Sequence, residues 1–206
     1  MKKSTGFICL GKGDLLELGR KLVHIVFGAL IFFVTYFYGA YSLAALCSVA
    51  LLLGIPLALL MKSGVEFPVF SLAVELFGRE REKLPGKGVF MFFAGALLAS
   101  LIAIFVNNNA IAYLALLPAI LGDGLATIMG KRFGRHRIVK HKSVEGSAAF
   151  FFASFIALFL ASNRLYAAFI VALLASIAEL LPIDDNLILP PFSAVILYIT
   201  YFFNFL

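Results

Sequence analysis

The sequence predicts an all-α integral membrane protein, a single-domain bundle of about seven transmembrane helices over residues 1–206, with its N-terminus in the cytoplasm. Of the 206 residues, 63% are apolar and 14% are charged, and the mean hydropathy is +1.04. Soluble domains are about 45–50% apolar and about 25% charged. The composition therefore excludes an ordinary water-soluble enzyme, a disordered tail, a coiled coil and a disulfide-stapled secreted domain.

Seven apolar stretches are long enough and poor enough in charge to cross a bilayer. They are assigned to helices, because an open strand cannot satisfy its backbone in hydrocarbon and because continuous apolar runs lack the alternation of a β-barrel strand. The fifth stretch is the shortest. The predicted spans are Leu22–Tyr38, Ser42–Met61, Gly88–Val106, Ala110–Met129, Gly146–Ala161, Leu165–Leu181 and Leu187–Leu206.

The first span is expected to be a retained helix and not a cleaved signal peptide. Its apolar run is longer than the roughly 7–15 residues of a signal, and a long charged tail precedes it. Since no other targeting segment is evident, we expect a prokaryotic plasma membrane.

Charge is distributed unevenly along the predicted bundle. Sixteen of the 17 Lys and Arg residues lie on one side of the seven-span arrangement, and Arg164 lies on the other. The positive-inside rule places the crowded side in the cytoplasm. All 11 acidic residues lie at or near that same side, which the rule does not require. Chemistry at the cytoplasmic face explains both distributions.

Four segments place ionisable groups where membrane helices normally avoid them, and such groups are functional candidates. At the entrance of the first span, Glu17, Lys21 and His24 fall on one helix face, and Arg20 is one turn from His24. A membrane anchor with an ion pair explains the cations but not His24. Both interpretations stay open.

The second segment runs from residue 121 to residue 134. Asp123 lies about two turns inside an apolar run, and a carboxylate at that depth needs a metal, a Lys or an Arg as its partner. Gly122, Ala126 and Gly130 are spaced four apart, which permits close helix approach. A purely structural role would explain the small residues but not Asp123. A functional role is therefore favoured for this segment.

The third segment is the basic connection from Gly130 to Gly146. Attraction to anionic lipid explains its cations, but not Gly130 and Gly134, which we expect to free the backbone for tight turns. Nucleic acid is not the expected partner, because no aromatic residues are interleaved with the basic ones.

The end of this connection opens the next predicted helix with Ser143 and Glu145. Exposed backbone amides at a helix N-terminus, beside Lys142 and Arg132, form a ready phosphate site. The connection therefore predicts binding of a phosphate group.

The fourth segment links the sixth and seventh spans. Asp184, Asp185 and Asn186 are oxygen ligands just outside a helix end, of the kind that hard cations such as Mg²⁺ prefer. A polar turn with Asn as a helix cap is the alternative. That alternative does not explain Glu179 inside the span.

The connection between residues 62 and 88 combines a mixed apolar pattern with a strongly charged stretch. It predicts an interfacial amphipathic helix and a solvated linker, ended by Pro85, Gly86 and Gly88. No catalytic role is required there.

At these residues the sequence resembles the CTP-dependent polyprenol kinase family, which includes dolichol kinases, phytol kinases and the CTP-using diacylglycerol kinase. The resemblance rests on E-x-x-R-K-x-x-H from Glu17 to His24, on GDGLATIMGKRFG followed by KSVEGS, and on DDNLILPP. It covers nearly the whole chain in the right order. The central segment is also similar to the phosphatidate cytidylyltransferase signature, but Lys-Ser here replaces its Lys-Thr, which favours the kinase branch.

The resemblance implies transfer of the γ-phosphoryl group of CTP to the hydroxyl of an isoprenoid alcohol or a diglyceride in the membrane. The residues permit this chemistry, which needs cations around a polyphosphate and Mg²⁺ held by carboxylates. The sequence contains no P-loop and no Gly-rich protein-kinase loop, so a soluble-kinase fold does not supply the site.

With that resemblance, each polar segment acquires an expected role. Asp123 either binds Mg²⁺ or accepts the hydroxyl proton, and Glu145 and Asp185 are further metal ligands or bases. The expected phosphate-binding groups are Lys21, Arg132, Lys142, Ser143 and the backbone at Gly146. Asn186 and His24 are expected to orient substrate or nucleotide, with support from Glu17, Arg20, Gly122, Gly130, Gly134 and Glu179.

Two other functions are compatible with the sequence. A cytidylyltransferase would use the same residues but release pyrophosphate and form a CDP-lipid. A small transporter or scramblase would place ionisable groups at mid-membrane in two related halves, whereas no internal repeat is evident and the polar groups collect at one face. The spacing of small residues is also compatible with a homo-oligomer.

Overall fold

The computed structural model describes residues 12–65, 84–139 and 142–202, with side chains from residue 17 onward. The predicted all-α membrane bundle is confirmed, since six helical stretches in these residues are long and apolar enough to cross a membrane. The helices are α1 (Lys12–Tyr38), α2 (Ala40–Lys62), α3 (Lys87–Phe105), α4 (Asn109–Leu114), a π-helical segment (Pro118–Gly122), α5 (Asp123–Phe133), α6 (Val144–Ser162), α7 (Leu165–Glu179) and α8 (Asp185–Phe202); the strands are β1 (Arg137–Val139) and β2 (Lys142–Ser143).

Within the described residues the seven predicted spans all correspond to helical stretches, with the end of Leu187–Leu206 lying outside them. The shortest helix is not the fifth. Helix α6 has 19 residues and α7 has 15. The Ser143 hydroxyl caps α6 by accepting from the Gly146 amide, so the helix begins ahead of its apolar run. Helix α7 ends early because Leu180 and Leu181 donate to carbonyls three residues back, which tightens the last turn, and Pro182 follows.

The fourth predicted span is interrupted. Pro118 has no N–H to donate within a helix, and the chain passes from α4 through the π-helical segment before α5 begins. The Asp123 amide donates to the carbonyl of Pro118, five residues earlier. The extra residue in this turn changes the direction in which the Asp123 side chain projects from the helix axis. Such π-helical turns recur at functional sites.

Helices α5 and α6 touch backbone to backbone because small residues face each other. A Cβ atom on Gly146 would lie 3.1 Å from the carbonyl oxygen of Ala126 and 3.3 Å from the Cα of Gly130. Small residues allow this approach in membrane bundles. The contact fixes the start of α6 against the middle of α5.

The expectation that Gly130 and Gly134 serve tight turns is wrong. Gly130 lies inside α5, and Gly134 has an extended backbone with φ −63° that any residue can adopt. Gly134 is required for space, since a Cβ atom there would lie 2.7 Å from the Ser143 hydroxyl, and a Cβ atom on Gly130 would make a tight contact of 3.3 Å with the same hydroxyl. The predicted interfacial helix falls on residues 66–83, outside the described part of the chain.

Candidate active site

A cavity of about 730 Å³ lies where the N-terminal ends of α1, α6 and α8 meet the C-terminal ends of α5 and α7. The structure brings most of the sequence-predicted site residues to its wall. Those that line it are Glu17, Lys21, Asp123, Gly130, Gly134, Lys142, Ser143, Gly146, Glu179, Asp185 and Asn186. Those that do not are Arg20, His24, Gly122, Arg132 and Glu145.

Lys21 on α1 supplies the partner that the buried carboxylate of Asp123 requires. The ammonium group contacts Asp123 Oδ2, and the two residues are only 8% and 6% exposed. Because an unpaired buried charge is costly, each residue makes the position of the other tolerable. Lys21 therefore interacts with the carboxylate in this structure, although the sequence suggested a phosphate ligand.

His24 lies one helical turn beyond Lys21 and holds the segment before Asp123. Its Nε2 atom is 3.3 Å from the carbonyl oxygen of Ala119, in the π-helical segment. The ring packs edge-on against Phe92, with centroids 5.2 Å apart. His24 does not line the cavity, and its contact near Asp123 is with the backbone of the π-helical segment.

Lys142 on β2 joins α7 to α8. Its Nζ atom lies 3.0 Å and 3.1 Å from the two carboxylate oxygens of Asp185 and 3.3 Å from Glu179 Oε1. It also donates to the carbonyl oxygen of Glu179. Ser147 donates to Glu179 Oε2 at 3.2 Å. A single cation is thus surrounded by two carboxylates on the cavity wall.

The backbone amides at the start of α6 are partly engaged. The Gly146 amide donates to the Ser143 hydroxyl at 3.1 Å, and the Val144 amide donates to the carbonyl of His136 at 2.9 Å. A phosphate group bound by the amides at this N-terminus would have to compete with these hydrogen bonds. Side-chain cations are the stronger candidates for phosphate contact.

Glu145 and Arg132 are directed elsewhere. The Glu145 carboxylate lies 2.9 Å from the ring Nδ1 of His136 and accepts from its backbone amide at 3.3 Å. The Arg132 guanidinium lies 5.5 Å from the centre of the Phe133 ring. The expected metal set of Asp123, Glu145 and Asp185 does not come together, and no three His, Cys, Asp or Glu side chains in the described ranges do so.

Sequence reasoning missed several residues of the cavity. Lys131, Arg137, Thr127 and Ser147 line it, in addition to Asp184, which the fourth polar segment already included. The charge of the basic connection was the available signal for Lys131 and Arg137. Ser147 carried no such signal, because it resembles any small residue of a membrane helix.

Asn186, at the start of α8, has an unusual environment. Its side-chain amide donates to the carbonyl of Gly88 at 3.3 Å, while its Oδ1 atom is buried without a hydrogen-bond partner among the described residues. Buried acceptors are normally satisfied. An additional donor or cation at the cavity wall would satisfy this oxygen.

The cavity combines cations with carboxylates at the end of a membrane bundle. Its cations are Lys21, Lys131, Arg137 and Lys142, and its acids are Glu17, Asp123, Glu179, Asp184 and Asp185. Cationic side chains bind phosphate oxygens by charge-assisted hydrogen bonds, and carboxylates accept protons or bind hard cations. The arrangement suits a polyphosphate and its divalent ion.

Two known proteins have sequences similar to that of this chain. The chain is 33% identical over 184 residues to the uncharacterized protein MJ1137 of Methanocaldococcus jannaschii, covering 88% of this chain and 92% of that protein. It is 35% identical over 116 residues to the dolichol kinase sec59 of Schizosaccharomyces pombe, covering 48% of this chain and 23% of the kinase. No family model matches the chain, and no solved structure does.

Proposed function

We propose that this chain, which belongs to the same family as the archaeal protein MJ1137, is a lipid kinase that transfers the γ-phosphoryl group of CTP to the hydroxyl of an isoprenoid alcohol or a diglyceride. The observation that carries this proposal is the charged cavity at one end of membrane-crossing helices, where a lipid headgroup and a water-soluble nucleotide can meet. Similarity to a dolichol kinase, which covers 48% of this chain, supports the reaction class.

In the proposed reaction, the lipid hydroxyl oxygen forms a bond to the γ-phosphorus while the bond to the β–γ bridging oxygen breaks and CDP leaves. The hydroxyl proton passes to the carboxylate of Asp123. A positioned carboxylate contributes about 10²–10⁴-fold in such a step. Contact with Lys21 keeps the carboxylate charged and correctly oriented.

Phosphate oxygens are assigned to Lys142 and Arg137, which both line the cavity. Lys142 contacts the carboxylates of Asp185 and Glu179 in this structure, so a phosphate oxygen would take the place of one of these anionic acceptors. Arg132 lies outside the lining residues and is not assigned this role. Catalysis of phosphoryl transfer consists mainly of such positioning and charge stabilisation.

The residues at the start of α8 fit Mg²⁺ that arrives with the nucleotide. Mg²⁺ is usually held by one or two carboxylates together with phosphates, and the neighbouring carboxylates of Asp184 and Asp185 line the cavity beside the unsatisfied Oδ1 of Asn186. These groups would hold the ion. When bound, it would neutralise charge on the β- and γ-phosphates.

We place the cavity on the cytoplasmic side of a prokaryotic plasma membrane. Lys21, Lys131, Arg137 and Lys142 all lie at its end of the bundle, whereas Arg164 precedes α7 at the other end. The positive-inside rule assigns the basic end to the cytoplasm.

The test is phosphoryl transfer by purified protein in detergent, with a panel of lipid alcohols and each of the four nucleoside triphosphates. We expect a phosphorylated lipid and CDP, and a loss of at least about 100-fold in Asp123→Asn. Glu145→Gln, outside the cavity lining, is the matched control. Pyrophosphate and a CDP-lipid as products, when a lipid phosphate is supplied in place of the lipid alcohol, would replace the kinase with a cytidylyltransferase, and full turnover by Asp123→Asn would remove Asp123 from the mechanism.

A further inference from the structure

The β1–β2 hairpin directly precedes a helix that is long and apolar enough to cross a membrane. Helix α6 has 19 residues, which at about 1.5 Å per residue nearly equals the hydrocarbon core of about 30 Å. Its first residue, Val144, therefore lies at the membrane boundary. Because β2 ends at Ser143, the hairpin begins where the hydrocarbon ends.

Hydrogen bonds fix the hairpin to the first turn of α6. The Val144 amide donates to the carbonyl of His136 at 2.9 Å. The Glu145 carboxylate accepts from the His136 backbone amide at 3.3 Å and lies 2.9 Å from its ring nitrogen. The hairpin is thus held beside the helix that enters the membrane.

The exposed surface of the hairpin combines apolar and cationic side chains. Ile138 is 46% exposed and Val139 is 45% exposed, and Arg135 and Arg137 are also exposed. The carboxylate of Glu145, the neighbouring acidic residue, contacts the ring of His136. Apolar side chains with neighbouring cations are typical of surfaces that lie in an anionic membrane interface.

Arg137 lines the cavity, whereas Ile138 and Val139 do not. Both apolar side chains are therefore available for contact with lipid outside the cavity. We propose that the hairpin is a binding surface for anionic phospholipids, with Ile138 in the acyl boundary and Arg135 on a lipid phosphate. This surface lies outside the cavity, so it exists whether or not the chain is a kinase.

The sequence contains no tryptophan, so one introduced indole reports on a single position. In Ile138→Trp, reconstituted in bilayers, we expect quenching by brominated lipids, and stronger quenching by brominated phosphatidylglycerol than by brominated phosphatidylcholine. Removal of one interfacial cation weakens attraction to anionic lipid about fivefold. Adding Arg135→Ala to Ile138→Trp is therefore expected to lower the preference for phosphatidylglycerol by about that factor. Addition of inorganic phosphate to the sample is expected to leave this preference unchanged.

The other end of the bundle provides matched controls. Phe105, 88% exposed at the end of α3 and close to the uncharged Asn107–Asn109 connection, should respond equally to both brominated lipids as Phe105→Trp. Arg164→Ala should leave the Ile138→Trp signal unchanged. Val139→Trp repeats the measurement if the first substitution disturbs the hairpin. Absence of quenching at both hairpin positions, or equal quenching by both lipids, would overturn the proposal; no step depends on catalysis.

Discussion

Lys21 and Asp123, 102 residues apart in the sequence, form a buried ion pair between α1 and α5. Sequence analysis identified the two residues in separate polar segments. The pair joins those segments into one unit, since neither charge is tolerated at that depth alone. The same face of α1 also carries His24, which contacts the backbone just before Asp123. Helix α1 therefore determines where the carboxylate lies.

The first prediction concerns the energetics of this pair. Lys21→Met leaves Asp123 buried without its cation, and we expect the free energy of unfolding to fall by about 3–5 kcal/mol. Lys21→Met combined with Asp123→Leu should recover most of that loss, because no charge is then left unpaired. Denaturant unfolding in detergent measures both variants.

The contact between Lys131 and Glu17 is the matched control. Its side chains are 27% and 30% exposed, and exposed pairs contribute about 0–1 kcal/mol. Lys131→Met should therefore have a small effect. Losses that simply add in the double variant of Lys21 and Asp123 would show that the two residues are energetically independent.

The second prediction concerns His24. His24→Ala removes the bond to the Ala119 carbonyl and should cost about 0.5–1.5 kcal/mol of stability. Because the Asp123 carboxylate would lose its fixed position, we expect kcat of the proposed reaction to fall while KM for CTP is unchanged. His24→Gln, which keeps a donor, should recover part of kcat. Equal activity of His24→Ala and the unmodified protein would exclude this positioning role.

The third prediction tests whether Gly134 is required for space. A Cβ atom there would lie 2.1 Å from the carbonyl oxygen of Gly130 and 2.7 Å from the Ser143 hydroxyl, so Gly134→Ala must displace backbone at the cavity wall. Overpacking of this kind costs about 1–3 kcal/mol. The melting temperature in detergent measures the effect.

Gly19→Ala provides the comparison, because the same substitution meets no atom within 4 Å inside helix α1. Alanine is preferred over glycine in a helix interior by about 1 kcal/mol, so the melting temperature should stay constant or rise. An unaltered melting temperature in Gly134→Ala would contradict this prediction, because the backbone would then accommodate the added methyl group without loss of stability.

Hydropathy and charge were sufficient to predict the bundle and the end that carries the site, since both are read from local sequence. They were not sufficient to predict the interruption before Asp123. The run containing Pro118 is continuously apolar, and its π-helical turn is contacted by His24, which is 95 residues from Ala119 in the sequence. Boundaries also moved where capping by Ser143 extended α6 beyond its apolar run.

The direction in which each side chain points was the second feature that could not be predicted from the sequence. Glu145 and Gly146 are adjacent, yet Gly146 lines the cavity while the carboxylate of Glu145 contacts His136. Successive helical residues point about 100° apart, so proximity in sequence to Lys142 did not imply a shared site. The contact of Lys142 with Asp185 spans 43 residues, and no local pattern specifies it.

The last prediction separates these two carboxylates by their response to Mg²⁺ and CTP. Asp185 lines the cavity and Glu145 does not, so only Asp185 can hold an ion that is bound to the nucleotide there. At 100 times its dissociation constant, a ligand stabilises a protein by about 2.7 kcal/mol. We expect CTP with Mg²⁺ to raise the melting temperature of the unmodified protein and of Glu145→Gln, and EDTA to reverse the rise. Asp185→Asn should lose the Mg²⁺-dependent part while Glu145→Gln keeps it, because an amide binds a hard cation more weakly than a carboxylate does. If Glu145→Gln lost the response and Asp185→Asn kept it, the ion would have to bind on the hairpin side of α6, and the cavity would not be the nucleotide site.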